Sequence, residues 1–276
     1  MARIIGESQG LDAWLNKRHW LRKPQYQFIW DWNPRLINVG ITGPVRLEWN
    51  ASASIDQVAI LAQPSEDLEQ AEITIRAWID WERSDRALTL HSRIVETGEE
   101  SGQEITSGPG SQPCTARITL THPRLWWPRG PGEPHLYTFE ISVRDGDAVP
   151  DSTTRRIGVR RIEIDQSLHP ASGRYFALRV NRRPVFCKGG NWVPPELIYS
   201  STTREKLKAL VGLAFDANFN LLRIWGEAHL PAIICSSFTT RPACLSGTTS
   251  FLPAPTIHRI PGAAPPASAT LGSRAG

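Results

Sequence analysis

The chain has little cysteine, no long apolar run and no block of like charge, and each shortage removes a class of protein. Its four cysteines (Cys114, Cys187, Cys235 and Cys244) lie far apart with no Cys-x-x-Cys spacing. That indicates neither a zinc site nor a disulfide framework and leaves the redox compartment open. The N-terminal stretch MARIIGESQGLDAWLNKRHWLRK lacks the apolar core of a signal peptide, and no later stretch is long enough to span a membrane. If complete as written, the chain is expected to be cytoplasmic. The net charge of +4 is scattered, with RRIGVRR at 155–161 and NRRP at 181–184 as its only local concentrations. Both alternate with apolar residues as strand faces do, so neither nucleic acid nor membrane is an expected partner. At 276 residues, 40% apolar and 21% charged, the chain should be soluble and globular, with roughly two domains. Nothing in it sets an oligomeric state.

What the chain does have is tryptophan. The stretch QFIWDWNPRLINVGITGPVRLEW at 27–49 holds three of its eleven. Strand alternation would send Trp30 and Trp32 to one face and Asp31 to the other, which makes either a packed corner or a binding surface. Residues 1–49 start without a capped element and hold too few apolar residues to fold alone, so an N-terminal portion is expected to be missing.

From about Ala51 to Asp147 the pattern is all-β. The runs AEITIRAWIDWE, ALTLHSRIVE, CTARITLTH and LYTFEISVRD are separated by Gly, Pro, Ser and Asp clusters, a spacing that predicts an immunoglobulin-like sandwich. The polar segment at 96–114 reads as a flexible hairpin connection. After Val149, RRIGVRRIEID and FALRVNRRPVF read as strands, the latter turning at Asn181 to Pro184. Thr202-Thr203-Arg204-Glu205 reads as a capping box, and Leu207, Leu210, Val211 and Ala214 recur at helical spacing up to about Asn218. FNLLRIW then has strand length. Strand, helix, strand is a βαβ unit, and after a sandwich it suggests the opening of a (β/α) barrel.

In such barrels chemistry gathers at the C-terminal ends of the strands, which here carry Asn191 and Trp192, then Arg223 and Trp225. An amide, a guanidinium and two indoles at one rim suit a neutral polyhydroxylated ligand. Rim packing by the indoles and a structural ion pair for Arg223 fit the same spacing.

Five motifs in order, IWDWNPRLINVGITGPVRLEW, HPRLWWPRGPGEPHLYTFEISV, RRIGVRRIEID, FALRVNRRPVFCKGGNWVPPE and LLRIWG, resemble glycoside hydrolase family 2, and within it the β-mannosidase branch. GGNWVPPE fits the mannosidase and exo-β-glucosaminidase branches better than the β-galactosidase and β-glucuronidase branches. The resemblance implies a multidomain β plus α/β chain. Residues 1–49 would end a jelly-roll sugar-binding domain, 50–150 form the immunoglobulin-like sandwich, 151–230 start a TIM-barrel catalytic domain, and 231–276 form a disordered or out-of-frame tail. Asp31 matches the aspartate that holds a hydroxyl of the terminal mannose. Asn191 and Trp192 match the motif after the first barrel strand, and Arg223 and Trp225 the motif after the second, so all five are expected to bind substrate. Trp126 and Trp127 are expected to pack the sandwich against its neighbours.

The family implies removal of terminal β-D-mannose by retaining hydrolysis, with two glutamates roughly 5 Å apart. The acid/base normally follows an Asn, and no Asn-Glu dipeptide occurs here; Glu196 and Glu227 lie near the predicted rim but outside the matching motifs. No catalytic residue is therefore assigned, and the chain as written is expected to be inactive. After Gly226 the family pattern gives way to EAHLPAIICSSFTTRPACLSG and a Pro/Ser/Thr/Ala-rich remainder without acidic residues. A barrel takes about 250 residues, so a frameshift or retained intron is the expected origin of the tail. The competing readings are an incomplete β-mannosidase acting on a β-mannoside oligosaccharide and a noncatalytic sugar-binding or interaction module. Neither calls for a metal or cofactor.

Overall fold

The computed structural model describes residues 24–28, 32–41, 45, 47, 53–81, 87–106, 113–225 and 245–249. Seven strands carry the alternation seen in the sequence: β1 Ala53–Pro64, β2 Gln70–Trp81, β3 Ala87–Ile94, β4 Glu100–Thr106, β5 Cys114–Thr121, β6 Tyr137–Asp145 and β7 Ala148–Ile157. They form two antiparallel sheets, ordered β1-β2-β5 and β4-β3-β6-β7. Every second residue points inward. Ala71, Ile73, Ile75 and Ala77 of β2 thus meet Phe139, Ile141 and Val143 of β6 in one core, joined by Leu90, Ile118 and Leu120. Each fully buried large side chain contributes about 1.5–3 kcal/mol, so this sandwich holds most of the apolar driving force of the described chain.

The segment at 96–114 is not simply a flexible connection, because β4 pairs along its length with β3, from Ala87 opposite Thr106 to Arg93 opposite Glu100. β4 is an edge strand whose one buried side chain is Ile105. Edge strands are held by ladder hydrogen bonds more than by burial and need little apolar content.

Beyond β7, a three-stranded antiparallel sheet has the order β10-β9-β8, with β8 Ile162–Asp165, β9 Ala177–Val180 and β10 Arg183–Pro184. The β9–β10 turn puts Asn181 and Arg182 at φ of +49° and +67°, the two consecutive left-handed residues of a tight hairpin turn. Asn181 is buried, and its amide joins this hairpin to the sandwich. It donates to the Trp126 carbonyl at 3.0 Å and accepts from the Arg161 N–H at 2.9 Å. Trp126 is 2% exposed, clustered with Leu136, Val180 and Val185, and its side chain takes the space a Cβ on Gly158 would need. Trp127 packs against the same cluster.

A parallel unit follows: β11 Gly189–Trp192, α1 Arg204–Asp216 and β12 Leu221–Trp225. Leu207 and Val211 of α1 pack on Leu222 and Ile224, with Leu210, Ala214 and Phe219 around them. The N-cap is Thr203, whose hydroxyl accepts from the Lys206 N–H at 3.2 Å. The cap therefore sits one residue later than the expected Thr202 box, and its third helical position is Lys206 rather than a carboxylate that could reach back. At the other end Arg129, from the sandwich, donates to the Phe215 carbonyl, and its guanidinium lies 3.8 Å from the centre of the Phe215 ring. A cation on the last carbonyls is favourable with the helix dipole.

Of the chain after 231, only residues 245–249 are described. Leu245–Thr249 form β13, parallel to β12, with Leu245 opposite Leu221 and Thr249 opposite Trp225. Proline cannot donate to a ladder, and β13 falls within the proline-free window between Pro242 and Pro253.

Candidate functional site

One close backbone approach and one buried amide fix the β11–β12 register. A Cβ on Gly189 would sit 1.8 Å from the Leu221 carbonyl oxygen, so only glycine lets the strands come together there. Asn220, 4% exposed, clips the two strand entries. It accepts from the Lys188 N–H at 2.8 Å, donates to the Phe186 carbonyl at 2.9 Å, and its own N–H donates to the Lys188 carbonyl at 2.8 Å. The result places Asn191 opposite Arg223 and Trp192 opposite Ile224.

Of the five residues the sequence singles out, the structure brings two into contact. Arg223 Nη1 donates to Asn191 Oδ1 at 3.1 Å. Asn191 is exposed and Arg223 half-buried, so the pair presents an amide NH2 and the rest of a guanidinium fork to whatever occupies that side. Strand parity sends Trp192 the other way. It is 9% exposed and packs with Leu207, Val211, Leu222 and Ile224 beneath α1, on the face away from Asn191. Trp225 is the last residue of β12. Trp30 and Asp31 lie outside the described residues, as does Glu227. Glu196 is ion-paired with Lys206 in the first turn of α1.

The segment around Asp31 is a turn rather than a strand where it is described. Gln25–Phe28 form a 3₁₀ turn, and Asn33 donates to the Tyr26 carbonyl at 2.6 Å and the Pro34 carbonyl at 3.1 Å. The Leu36 N–H returns to the Gln27 carbonyl at 3.1 Å, and Trp32 stacks on Tyr26 with centroids 5.8 Å apart. Asn38, which the sequence reading did not single out, donates to the Leu197 carbonyl at 3.0 Å. That bond spans 159 positions and ties the segment to the loop leaving β11.

A concavity of about 330 Å³ lies on the hairpin sheet, lined by Glu163, Ile164, Asp165, Arg179 and Arg182. Its charges are already engaged: Arg179 donates to Asp165 at 2.7 Å and Arg161 pairs with Glu163 at 2.9 Å. Bonds from the Ser167 backbone and hydroxyl, and then from Arg179, hold the Asp165 carboxyl at about 2. Among the described residues no three metal-ligating side chains gather, and no helix is long and apolar enough to cross a membrane.

Comparison with known proteins fits this framework. Residues 53–160 match the model of glycosyl hydrolases family 2. Over 208 residues the chain is 31% identical to β-mannosidase B of Aspergillus oryzae, covering 75% of this chain and 24% of that protein. The crystal structure of β-D-mannosidase from Dictyoglomus thermophilum superposes with a TM-score of 0.74 at 28% identity, over 82% of this chain and 28% of that one. An exo-chitosanase from Amycolatopsis orientalis shares the fold at 18% identity and a TM-score of 0.61, over 72% of this chain and 23% of its own. By these matches the chain is similar to glycosyl hydrolases family 2. Several of the curated relatives it matches are β-mannosidases, and it spans about a quarter of their length.

Proposed function

We propose that this chain carries part of the terminal-sugar subsite of a β-mannosidase-type glycoside hydrolase, with Asn191 and Arg223 contacting sugar hydroxyls. The observation that carries the reading is the 31% identity to a β-mannosidase over 208 residues. The Arg223–Asn191 contact at 3.1 Å supports it, because a pre-oriented amide and guanidinium are suited to vicinal hydroxyls. Asp31 and Trp225 complete the subsite in this reading. In the full reaction one carboxylic acid protonates the leaving oxygen while a second carboxylate attacks the anomeric carbon, and water then releases the sugar with retention. With no Asn-Glu dipeptide in these 276 residues, the chain alone is expected to bind and not to turn over. The parallel unit is taken as the start of a TIM barrel, and the segment before 49 as the end of a jelly roll.

The test is a binding panel of methyl β-D-mannoside, β-D-glucoside, β-D-galactoside and β-D-glucosaminide against the purified chain, followed by calorimetry. Preference for the mannoside is the expected result. Preference for the glucosaminide would move the reading to the exo-β-glucosaminidase branch, and absence of binding to all four at millimolar concentration would overturn it. Turnover of an aryl β-mannoside by the chain would contradict the assignment of catalysis to absent glutamates.

A further inference from the structure

We propose that Asn38 is a positioning residue that makes the Tyr26–Asn38 segment and the loop leaving β11 a single rigid rim, an inference that rests on the sugar-subsite reading above. The loop begins directly after Asn191 and Trp192 and runs through Val193, Pro194, Pro195, Glu196 and Leu197. Two successive prolines fix their own φ and restrict the residue before each, so the loop starts with little freedom. It is then held on two sides. Glu196 is ion-paired with Lys206 of α1, and the Leu197 carbonyl accepts from Asn38 Nδ2 at 3.0 Å. The Ser201 N–H to Ile198 carbonyl bond at 3.0 Å and the Thr203 cap close the remainder down to the helix.

The far side of the Asn38 bond is equally organised. Asn33 donates to the Tyr26 carbonyl and the Leu36 N–H to the Gln27 carbonyl, so residues 33–36 are tied back to residues 26–27. The ion pair and the turn act within the β11–α1 connection, while the Asn38 bond reaches across to it from the N-terminal segment. Losing it would leave each segment locally folded and release their mutual placement. The Asn191–Arg223 pair would stay intact, because Gly189 and Asn220 set it independently. A ligand bridging both segments would therefore find one preformed surface in the parent and two independently moving ones in the variant, losing affinity by the ordering cost.

The test is hydrogen exchange by mass spectrometry on the full chain and on Asn38→Ala and Asn38→Asp, neither of which can donate to Leu197. Both variants should exchange between about two- and tenfold faster in peptides covering 193–201, as loss of one modest hydrogen bond implies, with β2 and β6 peptides unchanged. Unchanged exchange at 193–201 would overturn the proposal, and so would faster exchange throughout the sandwich, since the bond would then support the whole chain rather than the rim. With saturating methyl β-D-mannopyranoside, the parent should slow in 24–41 and 193–201 together, and the variants should lose that joint response. If the sugar affects neither segment of the parent, the subsite reading fails, while the sugar-free comparison still decides the role of Asn38.

Discussion

Asn191 and Arg223 stand directly opposite each other in the parallel β11–β12 pair, and Arg223 Nη1 donates to Asn191 Oδ1 at 3.1 Å across 32 positions of sequence. Both ends of that contact are fixed from beneath, by Gly189 against Leu221 and by the buried Asn220. Its geometry is therefore set before any ligand arrives, which is the condition for low-cost recognition of a polyhydroxylated ring.

Gly189→Ala tests this support. The added methyl would meet the Leu221 carbonyl oxygen at 1.8 Å, an overlap only a backbone shift can relieve, at the upper end of the roughly 1–3 kcal/mol typical of overpacking. Amides of Leu221–Trp225 should lose exchange protection while β2 amides keep theirs. Retained protection in β12 would show that the methyl is accommodated with the strand pairing intact, contrary to this account.

Asn181 is expected to be the most sensitive single position at the sandwich–hairpin junction. Asn181→Ala removes both side-chain bonds, to Trp126 and from Arg161, and puts a Cβ residue at φ +49°. Asn181→Gly removes the same bonds and relieves the φ. The two should differ by about 1–2 kcal/mol in stability, the left-handed penalty, with both less stable than the parent by at least the roughly 1–3 kcal/mol of a buried unsatisfied group. Chemical denaturation of the three proteins gives both differences, and equal stability of Ala and Gly would contradict the strained turn.

These positions also show which parts of the molecule the sequence displays. β2, β3, β5 and β6 are legible because alternate residues must fill one core, so Ile73, Leu90, Ile118 and Phe139 recur with period two. β4 is not, because it offers only Ile105 to that core and is held by ladder bonds to β3. The helix face Leu207, Leu210, Val211 and Ala214 is legible, whereas the choice between Thr202 and Thr203 as cap depends on how α1 seats on Leu222 and Ile224. Trp192 and Asn191 look like equal rim candidates in sequence. Strand parity separates them, since facing Arg223 and facing α1 are opposite directions. Asn38 carries no local signal, because its partner is Leu197.

The hairpin sheet should be acid-sensitive. Asp165 is held at about 2 against an ordinary 3.8, first by the Ser167 bonds and then by Arg179. A carboxyl whose folded pKa is depressed contributes stability that is present above the unfolded value and lost as pH falls through the folded one. Asp165→Asn should therefore lower Tm at pH 7, with the difference from the parent narrowing from about pH 4 downward as pH falls through about 2. A difference that stays undiminished at pH 2 would mean the packing of residue 165, rather than its charge, is what matters.

The central claim is that Asn191 and Arg223 face the sugar. Its most direct measurement is a titration of the 15N-labelled chain with methyl β-D-mannopyranoside, following the Asn191 side-chain amide and the Arg223 guanidinium signals in the parent and in Arg223→Lys. Lysine keeps the charge and loses the planar fork. Saturable shifts of both groups in the parent, with at least about tenfold weaker binding in the variant as loss of a charged hydrogen bond implies, are the expected result. Shifts confined to other residues, or equal affinity in Arg223→Lys, would contradict the assignment.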